Sequence, residues 1–114
     1  MKFTSSLKKN HEFKRLYRKG KSAASPCAVI YCLRNGTSEN RLGITVSAKI
    51  GGAVQRNLVR RRLKEIYRLN EHKLAAGYDI VIVARIKGRY TGFWEMDSSV
   101  KGLFKNLNLV ARNT

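Results

Sequence analysis

One segment constrains the fold more than any other. After the glycine pair Gly51-Gly52, the chain contains neither glycine nor proline until Gly77. An α-helix turns by about 100° per residue, and this period places four apolar side chains on one stripe: Val59, Leu63, Ile66 and Tyr67. The sequence therefore predicts a long helix that begins after Gly52 and ends between Asn70 and Lys73.

The opposite side of this predicted helix is basic. An arc about 100° wide carries hydrogen-bond donors, nearly all of them cationic: Asn57, Arg60, Arg61, Lys64 and Arg68. Only Glu65, at the edge of the arc, opposes them. A basic face is often just a solvated surface, but like charge at this density costs stability unless a polyanion supplies counter-charge. The arc favours a nucleic-acid-binding face.

The charge of the whole chain indicates the same partner. Lys+Arg number 24 against 7 Asp+Glu, which gives a net charge of +17, and the 43% hydrophobic content is too high for a tail that never folds. The length of 114 residues predicts a single RNA-binding domain, residues 1–114. An anionic membrane is the rival partner, but no apolar run approaches the roughly 20 residues that span a bilayer. The N-terminus lacks the apolar segment of a secretory signal, so we expect a cytoplasmic protein.

The other segments predict an α+β fold. A first helix is expected from an N-cap at Asn10 to Lys19, and a last helix from an N-cap at Asp97. Extended segments are predicted at 21–25, 27–33, 41–47 and 79–84. The central helix between two strands makes a βαβ unit, for which the general rule predicts a right-handed crossover.

Aromatic side chains accompany the cations at two places. In the first helix, Phe13 and Tyr17 share a face, and two interpretations stay open: core packing, or an aromatic edge left partly open to stack RNA bases. In the segment 85–95, aromatic residues alternate with cations. For Phe93 and Trp94 we favour a structural role at the end of the core.

Residues that could carry out chemistry are not grouped. The seven carboxylates are scattered, and no metal-ligand or nucleophile motif is present. Cys27 and Cys32 are five apart in a predicted strand, so we expect buried free thiols that point to opposite faces. The sequence predicts a binding protein with no catalytic residue and no metal ligand of its own.

The segment 41–68, RLGITVSAKIGGAVQRNLVRRRLKEIYR, resembles the protein subunit of bacterial ribonuclease P. That family has V-S-K-K and then G-x-A-V-x-R-N-x-x-K-R-x-x-R-E, which this chain matches at Arg56-Asn57, Arg60-Arg61 and Lys64-Glu65. The upstream family pattern is met by Leu7-Lys8-Lys9, Phe13, Gly20 and Tyr31. Two departures are Ala48 in place of a lysine and Lys64 in place of an arginine, which loses the bidentate guanidinium.

The resemblance implies an αβββαβα fold of the ribosomal S5 domain 2-like type, with a left-handed crossover. It implies that a large RNA with bound Mg²⁺ cleaves the 5′ leader from precursor tRNA, and that the protein binds no cofactor itself. The residues expected to bind RNA, with Arg68 added from the arc, are Lys49, Arg56, Asn57, Arg60, Arg61, Lys64 and Arg68. A cleft for the leader would be lined by Phe13, Tyr17 and Tyr31.

Two other functions stay open on composition. A structural RNA-binding protein of the ribosomal type also needs a small basic domain. A self-sufficient nuclease would cleave RNA without an RNA subunit, which the scattered carboxylates disfavour. We expect a monomer outside the holoenzyme, and a C-terminal tail that includes Arg112.

Overall fold

The computed structural model describes residues 3–111 and places three α-helices and five β-strands in them. In chain order these are β1 Thr4–Ser6, α1 Asn10–Lys19, β2 Lys21–Ala24, β3 Ala28–Arg34, β4 Asn40–Thr45, α2 Ala53–Asn70, β5 Tyr78–Ala84 and α3 Phe93–Asn106. Short 3₁₀ helices lie at Ala48–Ile50, Glu71–Lys73 and Ile86–Tyr90. The order from α1 onward is the αβββαβα order that the resemblance implies. Arg112, expected in a tail, lies outside the described residues.

The five strands form one mixed sheet in the order β1-β4-β5-β3-β2. β1, β4 and β5 are parallel, whereas β3 is antiparallel to both β5 and β2. The main core lies on the face that α2 and α3 cover, where Ile30, Ile80 and Ile82 are fully buried. A smaller cluster around Leu16 and Val81 lies on the opposite face, under α1. The sheet therefore separates α1 from the two longer helices.

The crossover from β4 through α2 to β5 is left-handed. At the β2–β3 turn, the Ser25 N–H donates to the Ala28 carbonyl oxygen at 2.8 Å, so alternate residues Ala28, Ile30 and Cys32 bond towards β2. The side chains of these residues face α2 and α3. With the helices towards the viewer and β3 pointing upward, L residues whose side chains face the viewer bond to the right, so β2 lies to the right of β3 and β5 to its left. Turned so that the parallel strands β4 and β5 point upward, the sheet has β5 to the left of β4. The right-handed expectation from the general rule is wrong, and the left-handed crossover is confirmed.

The predicted stripe of α2 is its buried face. Val59, Leu63, Ile66 and Tyr67 are each at most 1% exposed. Tyr67 packs edge-to-face on Phe104 of α3, and its hydroxyl bonds with Thr4 Oγ1 at 2.8 Å. The periodicity therefore identifies both the helix and the side that it buries.

Both predicted N-caps are wrong. α3 begins at Phe93 after Gly92, so Asp97 lies inside the helix, where it is buried. The Asp97 carboxylate accepts a hydrogen bond from Asn70 Nδ2 and an ion pair from Lys101 Nζ, both at 3.0 Å, so it joins α2 to α3 rather than capping a helix. In α1 the N-cap is Lys9, one residue before Asn10.

Two further local features differ from the prediction. β1 was not predicted, because its three residues Thr-Ser-Ser show no apolar alternation. Cys27 lies in the turn before β3 rather than in the strand. Both cysteines are therefore in the same core instead of on opposite faces, although both are buried free thiols as predicted.

Gly20 fixes the position of α1 on the sheet. Its N–H donates to the Leu16 carbonyl oxygen at 2.9 Å and ends the helix. A Cβ at this position would lie 2.6 Å from that oxygen and 2.8 Å from the Cys32 carbonyl oxygen. Since φ of Gly20 is −74°, glycine is needed for space and not for a left-handed conformation.

Arg41 of β4 ties α1 to the sheet. Its Nε and Nη2 donate to the two carboxylate oxygens of Asp79, each at 2.7 Å, and its Nη1 donates to Glu12 of α1. Burial raises the pKa of Glu12, but the hydrogen bond from the Lys9 N–H and the nearby Arg41 guanidinium outweigh it and hold the pKa below its ordinary value. The site therefore favours the charged form of the Glu12 carboxyl.

Removal of this guanidinium is expected to destabilise the fold. At neutral pH, Arg41→Ala should lower the free energy of unfolding by about 2 kcal/mol, because two partly buried carboxylates lose their counter-charge. The folded-state pKa of Glu12 is depressed, so its contribution is complete above the ordinary carboxyl pKa and is lost as the pH falls through the folded value. Urea denaturation followed by circular dichroism should show the difference from wild type shrinking between about pH 5 and about pH 3.

The control is Arg15→Ala, which removes an exposed arginine from α1. This variant should change the free energy of unfolding by less than about 0.5 kcal/mol. A difference between Arg41→Ala and wild type that stays constant from neutral to acid pH would contradict the proposed role of Glu12.

Candidate nucleic-acid interface

The predicted basic arc of α2 is exposed. All five of its members point away from the core: Asn57, Arg60, Arg61, Lys64 and Arg68. They are exposed because the stripe on the other side of the helix is packed against the sheet and α3. Arg60 Nη1 donates to Asn57 Oδ1 at 3.1 Å, which links two neighbours of the arc. The structure therefore brings this part of the predicted site together.

Arg56 stands apart from the arc. It lies about 100° from Asn57 around the helix, on the side that turns towards the core, and it is half-buried. Its Nε is buried and has no hydrogen-bond partner within residues 3–111. A buried donor without a partner costs free energy.

The arc divides between two grooves. Arg60 and Lys64 line a groove of about 220 Å³ at the edge of β4, together with Phe13 of α1 and Gly43. β1 pairs with β4 only as far as Leu42, so within the described residues the β4 edge from Gly43 onward pairs with no strand on this side. The basic face of α2 and the α1 side of the sheet therefore meet at an open strand edge.

The second groove lies between α2 and the start of α3. It has a volume of about 390 Å³ and is lined by Leu58, Arg61, Arg62, Lys64, Glu65, Arg68 and Phe93. Arg68 forms an ion pair with Glu65, and this hydrogen bond lowers the pKa of the Glu65 carboxyl. Part of the positive charge at this end of α2 is therefore balanced within the protein, whereas Lys64 borders both grooves.

The three predicted cleft residues lie together on the α1 face of the sheet. Phe13 rests on Gly43, where a Cβ would lie 2.6 Å from two atoms of the phenyl ring. The rings of Tyr17 and Tyr31 meet edge-to-face with centroids 4.9 Å apart, and the Tyr17 hydroxyl lies 3.3 Å from Thr45 Oγ1. Phe13 and Tyr31 pack against the cluster under α1, whereas Tyr17 keeps 41% of its surface exposed. Phe13 therefore packs as the core interpretation predicts, whereas Tyr17 leaves an aromatic edge partly open, and base stacking there stays a prediction.

Lys49 is not on the α2 face. It lies in the 3₁₀ helix Ala48–Ile50 and lines a pocket of about 560 Å³ with Arg85 and Lys87, beyond the end of β5. Arg85 and Lys87 are not among the residues that the sequence predicts to bind RNA. The charge of the 85–95 segment was visible, but without a helical or strand period nothing placed it beside Lys49.

The two aromatic residues at the start of α3 have different environments. Phe93 is half-buried and packs against the main core, which confirms its predicted structural role. Trp94 is 73% exposed and contacts Phe93 edge-to-face at 5.0 Å, so a structural role is wrong for Trp94.

The arrangement suits binding of a polyanion. Its exposed groups are guanidinium, ammonium and amide donors, which bind phosphate, and aromatic rings, which stack on bases. Among residues 3–111, no three His, Cys, Asp or Glu side chains are placed to share a metal ion. In the same part of the chain, none of the helices combines the length and the apolar character that crossing a membrane requires.

Comparisons with known proteins agree with this chemistry. The family model described as Ribonuclease P matches residues 1–108. The ribonuclease P protein component of Clostridioides difficile is 45% identical over 107 residues, which cover 93% of this chain and 94% of that protein. The corresponding protein of Alkaliphilus oremlandii is 44% identical over 110 residues, 96% of each chain.

Solved structures show the same fold. The RNase P protein of Staphylococcus aureus superposes with a TM-score of 0.85 and 32% identity, covering 93% of this chain and 97% of that one. The RNase P protein of Thermotoga maritima superposes with a TM-score of 0.82 and 31% identity, covering 90% and 96%. The α+β fold, the basic helix and the aromatic face thus occur together in a chain that belongs to the ribonuclease P protein family.

Proposed function

We propose that the protein, as the protein component of the tRNA-processing endoribonuclease ribonuclease P, holds the catalytic RNA with α2 and the 5′ leader of precursor tRNA with its α1 face. One observation carries the proposal: the basic arc and the aromatic cleft join at the groove lined by Phe13, Arg60 and Lys64. Tyr17 of the cleft lies close to the same strand, with its hydroxyl 3.3 Å from Thr45 Oγ1 of β4.

The α2 face would act by neutralising phosphates. We assign this role to Arg60, Arg61, Lys64 and Arg68, with Asn57 as a neutral donor, because all five are exposed on one helix. Arg56 would contribute the exposed part of its half-buried guanidinium-bearing side chain. Lys49 would contact RNA from a separate position, in the pocket that it shares with Arg85 and Lys87.

The cleft would act by discriminating precursor from product. A leader that stacks on Tyr17 adds binding free energy that mature tRNA, which has lost its leader, cannot supply. Precursor tRNA would therefore bind more tightly than the product. Because the described carboxylates form no metal cluster, we assign the Mg²⁺ ions and the cleavage step to the RNA subunit.

The rival functions make different predictions. If the protein were a structural component of the ribosome, a pull-down would contain ribosomal RNA and no tRNA-processing RNA. A self-sufficient nuclease would cleave precursor tRNA as purified protein.

We also infer a monomer outside the holoenzyme, because a net charge of +17 opposes self-association. We place its action in the cytoplasm, where bacterial precursor tRNA is transcribed.

Reconstitution tests the proposed function directly. The purified chain, added to a bacterial ribonuclease P RNA at low Mg²⁺, should accelerate release of the 5′ leader from precursor tRNA relative to the RNA alone. Protein without RNA should release no leader. Leader release that is the same with and without the protein would refute the proposal, as would cleavage by the protein alone.

The role of the α2 face predicts a change in salt dependence. Arg61→Ala should weaken binding of the ribonuclease P RNA and make the slope of log K against log[salt] shallower by about 0.7–0.9, the contribution of one phosphate contact. Filter binding at several salt concentrations measures both quantities. Arg34→Ala is the control, because Arg34 is an exposed arginine that lies over the Tyr78 ring at the far end of β3. Equal slopes for the two variants would count against the assignment of Arg61.

The role of the cleft predicts that a cleft variant loses affinity for precursor tRNA but not for mature tRNA. Tyr17→Ala should weaken holoenzyme binding of a precursor tRNA with a non-cleavable linkage by about tenfold, the value of one lost base stack, and leave mature tRNA unchanged. Tyr90→Ala removes a tyrosine that is 74% exposed outside the cleft, and should affect neither ligand. Equal losses for precursor and mature tRNA would show that Tyr17 does not contact the leader.

A further inference from the structure

We propose that the groove between α2 and the start of α3 binds an unpaired nucleobase of the catalytic RNA. This inference rests on the proposed function and adds a base-recognition site to a face so far assigned only to phosphate contacts. The groove has a volume of about 390 Å³, within the range of small-molecule pockets, about 300–1,000 Å³. Its surface is mostly apolar, although four of the seven lining residues are cations.

The apolar wall is exposed without a partner in the described chain. Leu58 is 42% exposed in the middle of the basic helix, and Val54, one turn earlier on the same side, is 77% exposed. Phe93 closes the groove from α3, and Trp94, which contacts Phe93, is 73% exposed. An apolar patch within a strongly charged surface is typical of an interaction site.

The groove is already formed in the isolated protein. Arg62 Nη1 donates to the Thr91 carbonyl oxygen at 3.4 Å, which links α2 to the residues before α3. Phe93 packs against the main core and is therefore fixed. A ligand would not need to order the walls before binding, and this reduces the entropic cost of occupation.

Charge complementarity identifies the occupant. A nucleotide offers the stacking faces of one flat aromatic ring beside one negative charge, which matches an apolar wall next to Arg61 and Lys64. A second copy of this chain would instead bring another net charge of +17 against the same rim. The base must be unpaired, because bases within a duplex are stacked on each other and closed to a side-chain groove.

The position of the groove indicates which RNA supplies the base. The leader is proposed to bind on the α1 face of the sheet, whereas this groove lies between the two helices on the other face. The same helix presents Arg60 and Arg61 to the catalytic RNA in the proposed function. The catalytic RNA is therefore the strand that reaches Leu58.

The test removes apolar surface without changing charge. Leu58→Ala should weaken binding of a bacterial ribonuclease P RNA by about tenfold at every salt concentration, with the slope of log K against log[salt] unchanged. Arg61→Ala, on the same groove, should change the slope. Leu58→Met keeps an apolar side chain of similar volume and should bind as wild type does.

Leu69→Ala is the matched control. Leu69 is 39% exposed on the same side of α2, about 16 Å further along the helix axis, and it does not line the groove. This variant has the same change in helix propensity, and its affinity for the RNA should stay within about twofold of wild type. Thermal unfolding of both variants, followed by circular dichroism, should confirm that each is folded.

The outcomes separate this inference from the proposed function. Equal affinity of Leu58→Ala and Leu69→Ala for an RNA that wild type binds would overturn the groove assignment and leave the function intact. Sedimentation that shows wild type to self-associate, and Leu58→Ala alone to be monomeric with full RNA affinity, would assign the groove to a second copy. Failure of wild type to bind the RNA would refute the proposed function itself.

Discussion

Burial of one stripe of α2 determines where the basic arc of this helix lies. Val59, Leu63, Ile66 and Tyr67 are excluded from solvent, and each fully buried side chain of this size contributes about 1.5–3 kcal/mol. Repulsion between neighbouring cations on a helix costs only about 0.2–0.5 kcal/mol per pair. The apolar term is larger, so the helix forms despite the repulsion, and its cations are fixed on the side away from the core.

The acidic residues oppose the basic surface only weakly, because most of them bind partners within the protein. Of the seven carboxylates, Glu12 and Asp79 bind Arg41, Glu65 binds Arg68, Asp97 binds Asn70 and Lys101, and Glu71 accepts the Phe3 N–H. Most of the negative charge is thus committed to contacts within the protein. The remaining cations project into solvent with little opposing charge, and a polyanion is the ligand that their combined field favours.

The sequence predicts well what depends on periodicity, and poorly what depends on contacts between distant segments. The period of α2 gives its core face and the exposure of Arg60, Arg61 and Lys64. It does not show that Arg60 and Arg61 border different grooves, because that depends on where Gly43 and Phe93 lie. The sequence also misplaces the start of α3, because Asp97 has the residue type of an N-cap but is buried inside the helix, where it contacts Asn70.

The left-handed crossover agrees with the residue pattern of β4. In β4, Leu42 and Ile44 point to one face, while the other face carries Arg41, Gly43 and Thr45 and no large apolar side chain. With β5 on the same edge of β4, a right-handed crossover would place α2 on the face that carries Gly43, where the ring of Phe13 already packs. The left-handed crossover places the long amphipathic helix on the face with the large apolar side chains. Burial of apolar area therefore outweighs the usual preference for right-handed connections.

The position of α2 also separates the cations from the aromatic cleft, which lie on different faces of the sheet. With α2 on the large-residue face, the other face is left to α1, which is short and covers the sheet only in part, so Tyr17 stays accessible. Cations bind any phosphate, and aromatic or apolar walls bind only bases that are not paired. In the proposed function, a surface that combines both, on two faces joined at the open edge of β4, would favour single-stranded and looped RNA over duplex. Such selectivity would let the proposed complex distinguish a leader from the folded tRNA body that follows it.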